Sequence, residues 1–474
     1  RATPSEPKPL MRFLLRSVIL LLLAVNRPAK GADLTLHATR AGEASGLQVF
    51  QPTAAAAFHL SGDLRDAPML RWKFTIAQEG RYRVRLLARC AAKGIVPLLR
   101  TDGGEATPGA LALPTVWDRL EVATLSFRPG PATLELRFKA PTAAGGRVDI
   151  QAVELVEAAT AGKEAARADA ARADTGWMRQ AGFGIMLHWT RESAPAQGPA
   201  KTYAQAVTDL DTDALARRLH ATGAGFVVFT TAHAYQDFPA PLASLEKALP
   251  GRTTPRDLIA DLAASLRAQG MSLMLYHNPG TEQDADWNRL SGVADGDFAR
   301  HFQLWQAIIA EAGERYGPKL AGWWFDDGAT RLYPRNAPWE SLHRAARTGH
   351  PRRAIGFNAW EFASVTDWQD FDCGEGLREP RGRDGLLPSS GEGIYGTSSR
   401  KGLRATACVT LEDGWLHREA GRMPTPPTWT EPALRDFLSR SRRTGLVPIL
   451  NLKVTQEGLL NDTSLALVRR AARR

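Results

Sequence analysis

The sequence predicts a chain with two folded parts, an all-β sandwich followed by a (β/α)₈ barrel. Residues 33–157 contain short alternating strands, and the rest of the chain alternates between strands and helices. One strand of the second part ends in two adjacent carboxylates, Asp326 and Asp327. With 474 residues, the chain is also too long for one ordinary domain. We therefore expect a leader, a sandwich, a linker and a barrel at residues 1–31, 32–157, 158–175 and 176–474.

The first part carries apolar residues at every second position, which is typical of strands that bury one face. Turn residues such as Pro129-Gly130-Pro131 separate the alternating runs. Several short strands with this spacing favour a β-sandwich. The clearest predicted strands are Leu70–Ile76, Tyr82–Leu86, Leu120–Phe127, Thr133–Phe138 and Val148–Val156.

The second part begins after an Ala-rich, mixed-charge stretch at residues 157–174, which predicts a solvent-facing helical linker. Repeated strand–helix units over about 300 residues favour a (β/α)₈ barrel, and a doubly wound open sheet is the alternative. No GxGxxG or GxxxxGK[ST] motif follows a strand, which argues against a nucleotide site. The predicted strands are Gly182–Leu187, Gly225–Thr230, Leu273–Tyr276, Leu320–Phe325, Ala354–Asn358, Phe371–Glu375, Thr406–Leu411 and Val447–Leu452. The predicted helices are Asp211–Thr222, Asp257–Gln269, Phe298–Arg315, Pro432–Thr444 and Thr463–Arg474.

The N-terminal stretch has the plan of a signal peptide. Basic residues precede the apolar run Val18–Val25, and Ala29-Lys30-Gly31 follows as a small-x-small cleavage site. We therefore expect an exported protein with no membrane span in the mature chain; an uncleaved anchor is the alternative. Residues 1–31 contribute five of the ten net positive charges, and no dense basic run with interleaved aromatics occurs elsewhere, which excludes a nucleic-acid partner. Three cysteines without a CxxC motif indicate neither a disulfide framework nor a zinc site.

Polar side chains collect where the predicted barrel strands end. Strand ends on one face of a barrel converge in space even when they are far apart in sequence. We therefore expect a site there, with Asp326 as the catalytic nucleophile. The residues at these ends are His188, His233, Tyr276-His277-Asn278, Asp326-Asp327, Asn358 and Glu375.

Several of these segments resemble motifs of the family 29 α-L-fucosidases. Phe183–Trp189 is similar to FGIFIHWG, Phe226–His233 to YVVLTAKHHDGF, and Trp324–Gly328 to WFDG. The stretches around Arg256–Tyr276, Asp370–Glu375, Cys408–Trp415 and Leu446–Leu452 resemble RDLV…GLYYS, DYxTPE, CMTINDSWGY and NLLLNIGP. These similarities follow the family order from about residue 176 to the C-terminus. The β-sandwich resembles the carbohydrate-binding modules that accompany glycosidases; a purely structural accessory domain is the alternative.

The resemblance implies specific roles for residues of this chain. Asp326 would be the nucleophile and Glu375 the general acid/base, with Glu379, Glu361 and Glu392 as other candidates for the acid. The sugar pocket would be lined by His188, Trp189, His233, Tyr276, Trp324 and Trp415. A glycan would be the substrate, and neither a metal nor another cofactor is required.

Such chemistry needs two carboxyl groups at a defined separation. In a retaining glycosidase they lie about 5–5.5 Å apart, against roughly 6.5–9.5 Å in an inverting one. The acid must stay protonated near neutral pH, which burial or a neighbouring carboxylate favours. Asp327 follows Asp326 directly, so on a regular strand its side chain should point to the opposite face.

The chain departs from the family pattern at two places. The family's His-His-Asp is His233-Ala234-Tyr235 here, so one pocket histidine is missing, and the family's Trp-Glu is Arg404-Ala405. Lost hydrogen bonds to a sugar hydroxyl change selectivity, so the sugar remains open between fucose and a related residue. A non-catalytic carbohydrate-binding protein and an inverting barrel glycosidase are the alternative functions.

Overall fold

The computed structural model describes residues 33–50, 59–102, 104, 107–109, 111–139, 145–280, 283–378, 387–388 and 391–473. The predicted signal peptide and Glu379 lie outside these ranges. The described chain forms two compact units, of which the first ends at Ala161 and the second continues from Gly162.

The first unit consists of two antiparallel sheets. Phe74 of one sheet contacts Phe127 of the other, with ring centroids 5.8 Å apart, so the apolar faces pack against each other as in a sandwich. Strands β3-β4-β11-β6-β9 form one sheet, with β1 also paired to β11, and strands β2-β5-β10-β7-β8 form the other. The strands are β1 Leu34–His37, β2 Glu43–Ser45, β3 Gln48–Phe50, β4 His59–Asp63, β5 Met69–Ile76, β6 Gly80–Cys90, β7 Val96–Thr101, β8 Thr107–Pro108, β9 Asp118–Phe127, β10 Gly130–Lys139 and β11 Arg147–Glu157.

The second unit contains one sheet of eight parallel strands. Their order is β16-β15-β14-β13-β12-β19-β18-β17, which follows the chain around a cylinder with β12 and β19 paired. The strands are β12 Gly184–Leu187, β13 Phe226–Ala232, β14 Ser272–His277, β15 Leu320–Phe325, β16 Ala354–Phe357, β17 Phe371–Asp372, β18 Arg404–Thr410 and β19 Val447–Leu452. The predicted fold class is confirmed, and both β15 and β19 have the predicted bounds.

Helices follow most of the strands, and their starts agree with the capping residues in the sequence. Asp211 accepts a hydrogen bond from the backbone N–H of Ala214, and Asp257 accepts one from Ala260, each at 2.9 Å. The helices are α1 Ala158–Ala171, α2 Gly176–Gln180, α3 Tyr203–Asp209, α4 Thr212–His220, α5 Ala243–Ala248, α6 Leu258–Ala268, α7 Ala285–Leu290, α8 Phe298–Tyr316, α9 Trp339–Ala346, α10 Glu431–Thr444 and α11 Asp462–Ala472.

The gap between the terminal strands β16 and β17 is bridged by Asp370. Its backbone N–H donates to the carbonyl of Ile355 at 2.7 Å, and its carboxylate accepts the N–H of Ile355 at 2.8 Å. The same carboxylate holds Arg347 through both oxygens. These bonds satisfy the edge of β16 that has no ladder partner, so the parallel sheet closes into a barrel.

Side chains along each barrel strand alternate between two apolar layers. On β15, Trp324 belongs to the cluster inside the barrel, whereas Trp323 and Phe325 belong to the layer beneath the helices. Alternation therefore turns the next residue, Asp326, toward the barrel axis at the carboxyl end of the strand. The strand thus aims this carboxylate at the mouth of the barrel.

Candidate active site

Asp326 is held by side chains from the strands on both sides of β15. On one side, the hydroxyl of Tyr276 donates to Oδ2, and Nδ2 of Asn278 lies 3.5 Å from the same oxygen. On the other side, Nδ2 of Asn358 donates to Oδ1 at 2.8 Å. The backbone N–H of Asp326 donates to the carbonyl of His277 at 3.2 Å. The carboxylate therefore has a fixed orientation, and the residue is only half-buried.

Asn358 connects the two predicted catalytic carboxylates. Its Nδ2 donates one hydrogen to Asp326 and the other to Oε2 of Glu375. Its Oδ1 accepts the backbone N–H of Trp360 at 3.1 Å, which fixes the amide with its NH₂ group toward the acids. Since one hydrogen bond spans about 3 Å, the two carboxylate oxygens lie within about 6 Å of each other.

The backbone around Glu375 is fixed by two glycines. Gly374 and Gly376 have φ of +61° and +73°, and a Cβ at Gly374 would lie 1.8 Å from the carbonyl oxygen of Thr406. Only glycine allows the chain to pass β18 this closely. Glu375 forms an isolated parallel bridge with Cys408, which fixes its backbone position beside β18.

Asp327 does not continue the strand as expected. It adopts φ of +55°, so strand alternation no longer applies, and its carboxylate is buried next to that of Asp326. Asn278 and Thr330 each donate to it at 2.8 Å. Burial, together with the charge of Asp326, raises the pKa of Asp327 to about 7. The expectation that Asp327 points away from the site is therefore wrong, because the left-handed turn places its carboxylate next to that of Asp326.

The raised pKa of Asp327 predicts a pH-dependent stability. Below pH 4 the carboxyl is protonated in both the folded and the unfolded chain, so it contributes no pH dependence. From pH 4 to 7 only the unfolded chain releases the proton, and stability falls until the folded carboxyl ionises as well. We expect Asp327→Asn to raise the melting temperature, relative to wild type, by a few degrees more at pH 8 than at pH 5.

A matched variant controls this comparison. Asp436→Asn changes an exposed aspartate on α10 that pairs with Arg440, and it should show the same difference from wild type at both pH values. If the two variants showed the same change in melting temperature between pH 5 and pH 8, the raised pKa of Asp327 would be contradicted.

His188 is a neutral hydrogen-bonding group in the pocket. Its Nδ1 lies 2.8 Å from Oδ1 of Asn451, whose NH₂ group donates to the carbonyl of Trp415 at 3.0 Å. Asn451 therefore presents its oxygen, and Nδ1 of His188 carries the proton. Burial, aided by the neighbouring His233, lowers the pKa of His188 to about 3. Nε2 of His188 is consequently an unprotonated acceptor for a hydroxyl group.

Four further predicted residues surround His188 and Asp326. The ring of His188 lies 5.5 Å from His233, 4.7 Å from Tyr276 and 5.5 Å from Trp415, measured between centroids. Trp324 is buried in the barrel interior below them, in the same apolar cluster as Tyr276. The structure thus brings together His188, His233, Tyr276, Trp324, Trp415, Asp326 and Glu375.

Trp189 is not in this group. Its indole N–H donates to the carbonyl of Gln456 at 3.1 Å, and its ring stacks on Phe229 with centroids 6.0 Å apart. Alternation continues past the end of β12, so His188 faces inward and Trp189 faces the helices. Its side chain packs between the barrel strands and the outer helices and does not line the pocket as predicted.

The two other described candidates for the acid are both exposed. Glu392 is exposed, pairs with Arg179 at 3.0 Å, and its carbonyl accepts from Arg404 at the amino end of β18, the rim opposite the site. Glu361 is exposed on the loop after β16. Glu375 is therefore the candidate for which the structure gives a direct link to Asp326.

Three asparagines complete the site. Asn278 and Asn358 were visible in the sequence as polar residues at strand ends, although nothing in their spacing indicated that they bind the carboxylates. Asn451 was missed. Its signal was a polar residue inside the otherwise apolar strand Val447–Leu452, where it is fully buried.

The described residues contain no group of three or more His, Cys, Asp or Glu side chains arranged to hold a metal ion. Within the same ranges, no helix combines the length and apolar character needed to cross a bilayer.

Comparison with known proteins finds a family model that matches part of the second unit. Residues 200–381 match the alpha-L-fucosidase family model. This alpha-L-fucosidase match includes both carboxylates of the site, and it confirms the resemblance drawn from the motifs. Because the family consists of glycoside hydrolases, the predicted enzyme class is also confirmed.

Solved alpha-L-fucosidases are similar to this chain. An alpha-L-fucosidase GH29 from Bacteroides thetaiotaomicron is 17% identical, with a TM-score of 0.47, over 63% of this chain and 73% of that one. The alpha-L-fucosidase AlfC from Lactobacillus casei, in complex with its alpha-L-fucose product, is 17% identical, with a TM-score of 0.44, over 62% and 96%. No curated protein matches the sequence.

Proposed function

We propose that this protein is an exported retaining exo-glycosidase that releases terminal α-L-fucosyl or closely related residues from glycans. The observation that carries the proposal is the hydrogen bonding of one Asn358 nitrogen to both Asp326 and Glu375. Two carboxylate oxygens within about 6 Å of each other fit a retaining pair, whose carboxyl groups lie about 5–5.5 Å apart.

In the first step, Asp326 attacks the anomeric carbon while Glu375 gives its proton to the departing glycosidic oxygen. The bond between the anomeric carbon and that oxygen breaks, and a covalent ester forms between the sugar and Asp326. Oδ2 of Asp326 already accepts from Tyr276, with Asn278 nearby, whereas Oδ1 accepts from Asn358 alone among the described residues. Oδ1 therefore has the more accessible lone pair and is the attacking atom.

In the second step, Glu375 acts in the opposite sense. Its carboxylate takes a proton from water, and the resulting hydroxide attacks the anomeric carbon of the ester. The sugar leaves with its original anomeric configuration, and Asp326 regains its charge. Asn358 binds both carboxylates, so it holds them in a fixed relative position through both steps.

The pocket walls provide groups for sugar hydroxyls and for the apolar face of the ring. His188 offers an unprotonated Nε2, and Trp415 packs beside it with an indole face suited to stacking on a pyranose. One pocket histidine of the family is replaced in this chain, so the proposal names both fucose and a related sugar as possible glycones.

Export of the protein is proposed from the signal-peptide pattern at Met11–Gly31 alone. Cell fractionation with the leader deleted tests it.

A panel of aryl glycosides tests the proposed activity. We expect turnover of aryl α-L-fucosides or of α-L-hexosides with the same ring stereochemistry, and none of β-linked or D-configured members. Asp326→Ala serves as the inactive control. Sugar binding without hydrolysis of any member of the panel would instead favour the non-catalytic carbohydrate-binding protein.

A further inference from the structure

Asp327, the residue after the proposed nucleophile, combines two features that a folded chain normally avoids. Its backbone is left-handed, with φ of +55°, a conformation that few residues other than glycine adopt. Its carboxylate is also buried, with only 5% of the residue exposed, and burial disfavours the charged form. Unfavourable features of this kind concentrate at functional sites. They point to a role for this carboxylate beside Asp326.

Asn278 joins Asp327 to the nucleophile. Its Nδ2 donates to Oδ2 of Asp327 at 2.8 Å and lies 3.5 Å from Oδ2 of Asp326. Its Oδ1 accepts the backbone N–H of Gly280 at 2.9 Å, which fixes the amide with its NH₂ group toward the two carboxylates. Since both carboxylate oxygens contact one nitrogen, they lie within roughly 6 Å of each other, and the charge of each group acts on the other.

Besides the nucleophile, the described groups whose charge lies close to Asp327 are Arg331, Arg335 and the hydroxyl of Tyr276. Nε of Arg331 lies 3.8 Å from Oδ2 of Asp327. Burial lowers the pKa of both arginines to about 10, so both remain cationic at neutral pH. Burial, together with the neighbouring carboxylates, raises the pKa of Tyr276 well above its ordinary value, so its hydroxyl remains neutral. Asp327, with a pKa raised to about 7, is the member of this group that changes its charge near neutrality.

The interaction between the two carboxylates acts in both directions. The charge of Asp326 helps to raise the pKa of Asp327, so the charge of Asp327 disfavours that of Asp326 by the same free energy. In the proposed mechanism, Asp326 is charged in the free enzyme and neutral in the covalent ester. Ionised Asp327 therefore destabilises the free enzyme relative to the ester, whereas protonated Asp327 does not.

We propose that Asp327 is a positioning residue that sets the balance between formation and breakdown of the ester at Asp326. When Asp327 is charged, formation of the ester is faster, because this step removes the neighbouring negative charge of Asp326. Breakdown is slower, because this step restores that charge next to Asp327. Asp327 exchanges no proton with the substrate and makes no bond to it, so it acts through Asp326. This inference rests on the proposed function and specifies how its two steps depend on pH.

The test measures the rate constants of both steps by pre-steady-state kinetics, for wild type and for Asp327→Asn, at pH 5 and pH 8. The substrate is an aryl α-L-fucoside with an acidic phenol, whose departure needs little protonation by Glu375. Asparagine keeps the size of the protonated carboxyl and carries no charge at either pH. The ratio of formation to breakdown, relative to the same ratio in the variant, should rise about tenfold from pH 5 to pH 8, as for a coupling of one pKa unit. The pH dependence that Glu375 contributes is common to both enzymes and cancels.

A second variant shifts the charge of Asp327 without removing its carboxylate. Thr330→Val deletes a hydroxyl that donates to Oδ1 of Asp327 at 2.8 Å and favours its charged form. The pH at which the wild-type ratio changes should therefore move upward in this variant. Asp436→Asn, an exposed change on α10, should leave the ratio unchanged at both pH values. A purely structural role of Asp327 would lower both rate constants without this pH dependence.

The outcomes separate the role of Asp327 from the proposed function. A relative ratio that is equal at pH 5 and pH 8, or a transition that Thr330→Val leaves at the same pH, would overturn the role of Asp327. If Asp327→Asn does not fold, the wild-type transition and its shift in Thr330→Val decide the matter. Failure of wild type to hydrolyse the fucoside would overturn the proposed function itself. A transition that is absent in the Asp327 variant and displaced upward in the Thr330 variant supports the proposal.

Discussion

Replacing Asp326 by alanine is expected to lower kcat on an aryl α-L-fucoside by a factor on the order of 10⁴–10⁶. In the proposed mechanism, the substitution removes the atom that forms the covalent ester, and neither neighbouring carboxylate can replace it. Asp327 is buried below and is bound to Asn278 and Thr330. Glu375 has the other role in the proposed mechanism, which is to protonate the leaving group. Steady-state hydrolysis measured with wild type and with the Asp326→Ala variant tests this expected loss of kcat.

Chemical rescue distinguishes loss of the nucleophile from loss of the fold. Azide is small enough to enter the space left by the carboxylate of Asp326, and it should restore turnover with formation of a glycosyl azide of inverted configuration. Asp436→Ala, an exposed change on α10, should retain wild-type activity. An Asp326→Ala enzyme with near-wild-type rates would refute the assignment.

Replacing Glu375 by glutamine is expected to have an effect that depends on the leaving group. Glutamine keeps the shape and the contact with Asn358 but has no proton to give. Glycosides with poor leaving groups should slow by about 10²–10⁴-fold, because their departing oxygen needs protonation. Aryl glycosides with acidic phenols should slow far less in their first step, so the covalent intermediate should accumulate as a burst. Pre-steady-state kinetics on two phenols of different acidity measures both effects.

Two glutamates provide matched controls for this experiment. Glu392→Gln, at the opposite rim of the barrel, should leave both substrates unaffected. Glu361→Gln examines the exposed candidate on the loop after β16. If the leaving-group dependence appeared in the Glu361 variant and not in the Glu375 variant, the acid/base assignment would have to move.

The strand pattern determined most of what could be predicted from sequence. Leu320–Phe325 is apolar throughout, and the carboxylate that follows it lies where strand alternation and barrel geometry place it. The sandwich was similarly readable from its alternating runs. In both cases, the burial of an apolar face determines the direction of each side chain along the strand.

The errors arose where the backbone leaves the strand or where partners come from distant positions. Asp327 was expected to face outward, but its left-handed conformation cannot be read from a pattern that assumes a strand. Trp189 was assigned to the pocket through a motif, although alternation places it outside. The link from Asn358 to Glu375 spans 17 positions and depends on tertiary geometry alone.

The anomeric configuration of the first product is the most direct measurement of the paired carboxylates. Proton NMR of the released sugar, recorded before mutarotation, reports this configuration during hydrolysis of the preferred aryl α-L-glycoside. With Asp326 and Glu375 both bound to Asn358, the account predicts that the α-anomer appears first. Initial formation of the β-anomer would require a water between the two acids and would contradict the account.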